Sequence, residues 1–191
     1  MVQVPDTITT LEEFLKLPET EPASEYFDGQ IIQKPMPQTK HSRLQTKLAA
    51  RIDDRFEVAK IALAFTELRC TFGGKSIIPD ISVFTWDRLP ISEDGLFVNG
   101  VQTYPDWFIE ILSPDQGRAV LDRKISHGLK HGCQMGWLID PEECYVMTYP
   151  AKQAPNFFDL NAPDEILSVP AFASELNLTV GALFGWLRVG R

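Results

Sequence analysis

Trp107-Phe108-Ile109-Glu110-Ile111-Leu112 is an apolar strand with one acid inside it, and about 30 residues earlier Pro79-Asp80 opens a second such run, Ile81-Ser82-Val83-Phe84. Burying an unpaired carboxylate costs several kcal/mol, so Glu110 requires a cation, a proton or a strand-end position open to water. Two carboxylates brought together by neighbouring strands repel each other, and a divalent metal is the usual relief. A hard, oxygen-liganded ion such as magnesium fits best. The same residues also read as a strand cap at Asp80 and an arginine partner for Glu110. The surrounding chain has to decide between the two.

Working outward, Gly117 to Gly132 reads as a helix with Leu121, Ile125 and Leu129 inward, followed by strands over Met135–Asp140 and Cys144–Tyr149. Upstream, Ile61–Cys70 and Ser76–Thr85 have the β-branched and aromatic content of strands. Before them a long helix is expected from Gln38 to Lys60, with Leu44, Leu48, Ile52 and Phe56 spaced by four on its inner face. His41 falls with these leucines, and Lys40, Arg43, Lys47 and Arg51 form a neighbouring stripe. Glu25-Tyr26-Phe27 and Gln30-Ile31-Ile32 flank Asp28-Gly29, a dipeptide suited to the positive φ angles of a tight hairpin turn. Thr10 and Glu13 form a capping box at the start of a short helix that ends before Pro18. The order is mixed α/β. No repeat or change of composition divides the chain, so residues 1–191 are expected to form one domain.

The 191 residues, 44% hydrophobic and 23% charged, suffice for a full-sized core. The longest apolar run, Ile61 to Phe65, is far too short for a membrane helix. Met1-Val2-Gln3-Val4-Pro5-Asp6 lacks the basic start and apolar core of a secretory signal, so a cytoplasmic location is expected. The three cysteines, Cys70, Cys133 and Cys144, suit reduced core thiols. A net charge of −8 argues against an indiscriminate polyanion binder. The charge is nevertheless polarised: Ile31–Arg51 holds five basic residues and no acid, and Gly117–His131 holds four basic residues against Asp122 alone.

Pro-Asp before one strand, an acid in the next and a basic helix after it form a recognisable order. With Thr10-Leu11-Glu12-Glu13-Phe14, Glu25, Asp28-Gly29, His41, Pro79-Asp80-Ile81-Ser82-Val83, Glu110-Ile111-Leu112-Ser113-Pro114, Lys124, Gly132 and Trp137-Leu138-Ile139-Asp140-Pro141, the chain resembles the Uma-two family from Ile8 to Phe184. That family is assigned to the restriction-endonuclease-like PD-(D/E)XK nucleases. The resemblance implies an α/β fold with a mixed central β-sheet flanked by helices, and hydrolysis of a phosphodiester in nucleic acid, with DNA as the expected partner. It implies Mg2+ or Mn2+ held by Asp80, Glu110 and Ile111, with Lys124 and Glu25 completing the catalytic set. Lys40, His41, Arg43, Lys47 and Arg51 are expected to meet the nucleic acid. Cutting both strands of a duplex would suggest a homodimer.

The chain departs from the pattern in three places. The superfamily carries lysine two residues after the second acid, on the same strand face; here that position is Leu112, and the resemblance implies that the ammonium comes from Lys124 instead. A tyrosine frequent in the family is replaced by Gly128, and a Glu-Tyr pair before the tryptophan by Met135-Gly136. The overall acidity and the missing tyrosine support a rival reading, a nuclease-fold protein without turnover that binds DNA or a protein partner. His127 and His131, spaced by one helical turn, also have the spacing of a metal-gripping pair, with Cys133 close by.

Overall fold

In the computed structural model the described residues are 10–114 and 116–190, so the N-terminal reading and the start of the resemblance at Ile8 lie outside them. Thr10 caps α1 (Leu11–Phe14), its side chain and that of Glu13 closing the expected capping box. The hairpin β1 (Ser24–Phe27) and β2 (Gln30–Gln33) turns on Asp28 and Gly29, with φ of 53° and 79°. Then follow α2 (Thr39–Phe56), β3 (Ala62–Thr66), β4 (Cys70–Phe72), β5 (Lys75–Ile77), β6 (Ile81–Thr85) and β7 (Trp107–Ile111). The chain continues through α3 (Arg118–His131), β8 (Met135–Asp140), β9 (Tyr145–Pro150), β10 (Asn156–Asp159) and α4 (Val180–Gly185). No helix among the described residues is long and apolar enough to cross a membrane.

The expected fold class is present, with one difference: the strands form two sheets instead of one. A six-stranded sheet runs β10-β9-β8-β7-β6-β3, parallel only between β7 and β8, and a four-stranded antiparallel sheet runs β2-β1-β5-β4. Each of two stretches that read as a single strand crosses from one sheet to the other. Ser76–Thr85 divides into β5 and β6 at Ile78-Pro79-Asp80, because proline has no N–H for the ladder and holds the preceding residue extended. Ile61–Cys70 divides into β3 and β4 opposite that break, where Glu67 takes a φ of 52°. Asp80 therefore sits at the seam between the two sheets.

The large sheet is covered on both sides, so β7 and β8 are buried throughout and lack the alternation of a half-exposed strand. Leu44, Leu48, Ile52 and Phe56 of α2 pack with Trp107, Ile109 and Ile111 on one side. Leu121 and Ile125 of α3 pack with Phe108, Leu138 and the small sheet's Phe27, Phe72 and Ile77 on the other. Strand alternation puts Glu110 on the α3 side with Phe108.

The two glycine departures meet at the contact of α3 with the sheet, Gly128 on the helix and Gly136 on β8. A Cβ at Gly136 would stand 2.2 Å from Ile125 Cγ2, and one at Gly128 would stand 3.3 Å from Phe108 Cδ2. The absent side chains let the helix settle onto the strands, and Phe108 and Cys133, not the Lys124 stem, border Gly128. Other boundaries shift modestly. α2 stops at Phe56, four residues before the expected Lys60, where Ile61 N–H bonds back to Phe56 O at 3.0 Å. Beyond Pro150 the structure adds β10 and α4, for which the periodicity gives no signal.

Candidate active site

Register sets the site. β6 and β7 pair through Ile81 and Ile109, so continuing the antiparallel ladder by one residue brings Asp80 opposite Glu110. The Asp80 carboxylate replaces a ladder partner: its Oδ2 accepts from Ile111 N–H at 2.7 Å and lies 3.1 Å from His41 Nε2. Its Oδ1 accepts from Lys34 Nζ at 2.8 Å. Glu110 faces α3 directly, and Lys124 Nζ stands 2.6 Å from Glu110 Oε1 and 2.8 Å from Glu25 Oε1. The same Glu25 oxygen accepts from Ile78 N–H at 2.6 Å. The Ile78-Pro79-Asp80 turn is thus clasped from every side, with Lys34 also donating to Ile78 O at 3.0 Å and Gln45 Nε2 to Asp80 O at 2.8 Å.

Asp80, Glu110, Glu25, His41 and Lys124 are all buried, Lys124 with only 1% of its surface exposed. Burial disfavours an ionised Asp80, but the Lys34 ammonium and the His41 contact outweigh it and hold the carboxyl well below the usual carboxylate range. Glu110 goes the other way: burial, reinforced by the Asp80 and Glu25 carboxylates, pushes it up to about 8 against the pull of Lys124 and Lys34. Burial also opposes charge on both lysines, yet the facing carboxylates prevail and raise each above its ordinary value. Four carboxylates, those of Glu25, Glu67, Asp80 and Glu110, thus face the two ammoniums of Lys34 and Lys124, and this shortage of positive charge favours the neutral form of Glu110.

That deficit is what a divalent cation would correct, and the donors present are the hard oxygens such an ion takes. Among the described residues no set of three or more His, Cys, Asp or Glu side chains is gathered for a metal, so Asp80 and Glu110 would need main-chain oxygen or water to complete the shell. The Ile111 side chain is buried in the α2-side core, which leaves only its main chain for this. Since the N–H and C=O of a strand residue face the same neighbour, the carbonyl of Ile111 shares the Asp80 side with its N–H.

Asp80 forms part of a cleft of about 370 Å³ whose lining includes Lys34, His41, Gln45, Glu67 and Ser113 together with Pro22, Pro35, Met36 and Pro37. Lys124 is buried and does not line this cleft. Lys34 is the residue sequence reasoning passed over: it counted as one charge in a basic run, and its contact with Asp80 spans 46 positions. The spacing to Leu112, a strand lysine missing where one is expected, was the available hint.

The structure keeps the basic stripe apart from the cleft. Lys40, Arg43, Lys47 and Arg51 lie on the outer side of α2, across from His41 and Gln45 at about 100° per residue. Lys40 pairs with Glu142, and Arg43 Nε donates to Trp186 O at 3.3 Å. Lys47 and Arg51 border a separate groove with Asp54, Asn177 and Trp186. The histidine pair has structural contacts: His127 Nε2 lies 3.1 Å from Phe72 O and its ring stacks on Phe72, while His131 Nδ1 lies 2.8 Å from His127 O.

Comparison with known proteins agrees with this architecture. A family model described as "Uma2: Putative restriction endonuclease" matches residues 11–181. No curated protein matches the chain. Among solved structures, a crystal structure titled as a "putative nuclease belonging to DUF820" from Anabaena variabilis ATCC 29413 is 55% identical. The match covers 94% of this chain and 99% of that one, with a TM-score of 0.91.

Proposed function

Because the chain belongs to the Uma2 family of restriction-endonuclease-like proteins, we propose that it is a metal-dependent nuclease hydrolysing phosphodiester bonds in nucleic acid, with DNA as the substrate. The observation that carries this reading is the buried Asp80–Glu110 pair at the sheet seam, opened to a cleft at Asp80 and short of positive charge. A Mg2+ or Mn2+ ion held by Asp80, Glu110 and the Ile111 carbonyl would supply Lewis acidity to the phosphate and to the attacking water.

The chain's own residues prepare for that chemistry. His41 and the Ile111 N–H fix Oδ2 of the Asp80 carboxylate, which leaves Oδ1 to Lys34 at the cleft wall. Lys124 holds Glu110 in place and contributes positive field behind it as charge builds on the phosphate. Glu25 orients Lys124 and, through Ile78 N–H, the turn that carries Asp80. The stripe Lys40, Arg43, Lys47 and Arg51 would guide the backbone outside the cleft, with His41 nearer the bond to be cut. Duplex cleavage on both strands would pair two such centres in a homodimer.

The test is incubation with plasmid, single-stranded DNA and RNA in Mg2+ or Mn2+. Cleavage of DNA that stops with EDTA and is absent in Asp80→Ala supports the proposal. Binding of DNA without cleavage of any substrate would favour the rival, a nuclease fold without turnover.

A further inference from the structure

Two ammoniums serve this cluster, and only one of them reaches the cleft. Lys124 lies behind Glu110, enclosed on all sides, whereas Lys34 belongs to the cleft wall beside His41, Gln45 and Ser113. Lys34 follows the last residue of β2, and its side chain is 9% exposed. Its Nζ is held at 2.8 Å by Asp80 Oδ1, at 2.7 Å by Glu67 Oε2 and at 3.0 Å by Ile78 O. The other Asp80 oxygen is already engaged by Ile111 N–H and His41. Oδ1 is therefore the Asp80 oxygen with capacity for a further ligand, and Lys34 sits on it.

We infer that Lys34 and the divalent ion compete for Asp80 Oδ1, and that Lys34, once displaced, swings on its Glu67 tether to bind a phosphate oxygen of the substrate in the cleft. This rests on the metal-nuclease reading. An ion roughly 2.0–2.6 Å from Oδ1 comes within about 5 Å of an ammonium held by the same atom, where like charges repel strongly. Glu67 gives the displaced ammonium somewhere to go. It stands at the cleft wall with 43% of its side chain exposed, and Gln45 Nε2 fixes its other oxygen at 2.8 Å. Lys34 would thereby perform at the Asp80 side the task of the strand lysine that Leu112 has replaced, arriving from the small sheet instead.

The test is calorimetric titration of Mn2+ into the full chain as wild type, Lys34→Met and Glu110→Gln, alongside cleavage of DNA at saturating metal. Competition predicts that Lys34→Met binds Mn2+ about tenfold more tightly or better while cleaving about 10²-fold more slowly, the scale of one lost transition-state donor. Glu110→Gln should lose Mn2+ binding. A lysine that merely braces Asp80 would give the opposite metal result, so equal or weaker binding in Lys34→Met overturns the inference and leaves the nuclease reading standing. Absence of Mn2+ binding in both wild type and Lys34→Met overturns both. Lys34→Gln, which keeps a hydrogen-bond donor without the charge, carries the same expectations should Lys34→Met fail to fold.

Discussion

Replacing Lys124 with methionine removes one positive charge from a fully enclosed position while keeping a side chain of similar length. It leaves Glu25 and Glu110, with side chains 5% and 1% exposed, facing the space where the ammonium stood 2.8 and 2.6 Å away. Breaking a buried pair by deleting one partner costs about 3–5 kcal/mol. Burial and the neighbouring carboxylates push Glu110 up to about 8, so at pH 7 the substitution strands less than two full charges. The loss should therefore fall at the lower end of the range, about 3 kcal/mol. It should grow above about pH 8, where the wild-type Glu110 sheds its proton and gains most from the ammonium. Urea unfolding followed by tryptophan fluorescence reads this directly, since Trp107 and Trp137 are fully buried. Adding Glu25→Gln should recover part of the deficit, because glutamine still accepts the Ile78 N–H without stranding a charge. A Lys124→Met protein as stable as wild type at pH 7, or equally destabilised at about pH 7 and about pH 9, would contradict a buried ion cluster at this position.

Three further outcomes follow from the geometry. Gly136→Ala places a methyl 2.2 Å from Ile125 Cγ2 and should cost about 1–3 kcal/mol in urea unfolding; Ile125→Ala should relieve part of that strain, and simple additivity of the two losses would contradict it. His127, whose pKa burial lowers to about 4, is neutral in the fold at pH values where the unfolded chain is protonated. Stability should therefore fall as pH drops from about 6.5 to about 4, by on the order of 2 kcal/mol, and His127→Phe should flatten that limb of the pH–stability curve. Replacing Lys47 and Arg51 together with alanine should weaken duplex binding and flatten its salt dependence by about 0.9 log units per lost phosphate contact, whereas an unchanged slope would make the stripe a solvated helix face.

The residues that were easiest to read in the sequence are those whose local surroundings are physically anomalous. An acid within Trp107–Leu112 is too expensive to be incidental, and the helix period of Leu44, Leu48, Ile52 and Phe56 survives because α2 packs one face on the sheet. The two-sheet arrangement was harder, since it depends on where a strand stops pairing and not on what it contains. Pro79 marks the break, but Ser76-Ile77-Ile78 before it and Ile81-Ser82-Val83 after it have the same β-branched content. Lys34 escaped notice because its meaning comes from partners at Glu67 and Asp80, and a lysine after a strand otherwise reads as solvated. β10 is a four-residue strand that buries Phe158 and exposes Phe157, too short for alternation to emerge from the surrounding polar turns. The outward course of the basic stripe is legible from helix angles alone, but its separation from the cleft needed the position of Asp80.

If Asp80 and Glu110 form one metal-dependent hydrolytic centre, the rate of DNA cleavage must depend on Mg2+ concentration and on both carboxylates, which titration of Mg2+ into wild type, Asp80→Ala and Glu110→Gln measures. The account predicts saturable, Mg2+-dependent cleavage by the wild type and a loss of at least about 10²-fold in each variant. Cleavage by either variant at the wild-type rate, or wild-type cleavage indifferent to Mg2+ and to EDTA, would contradict it.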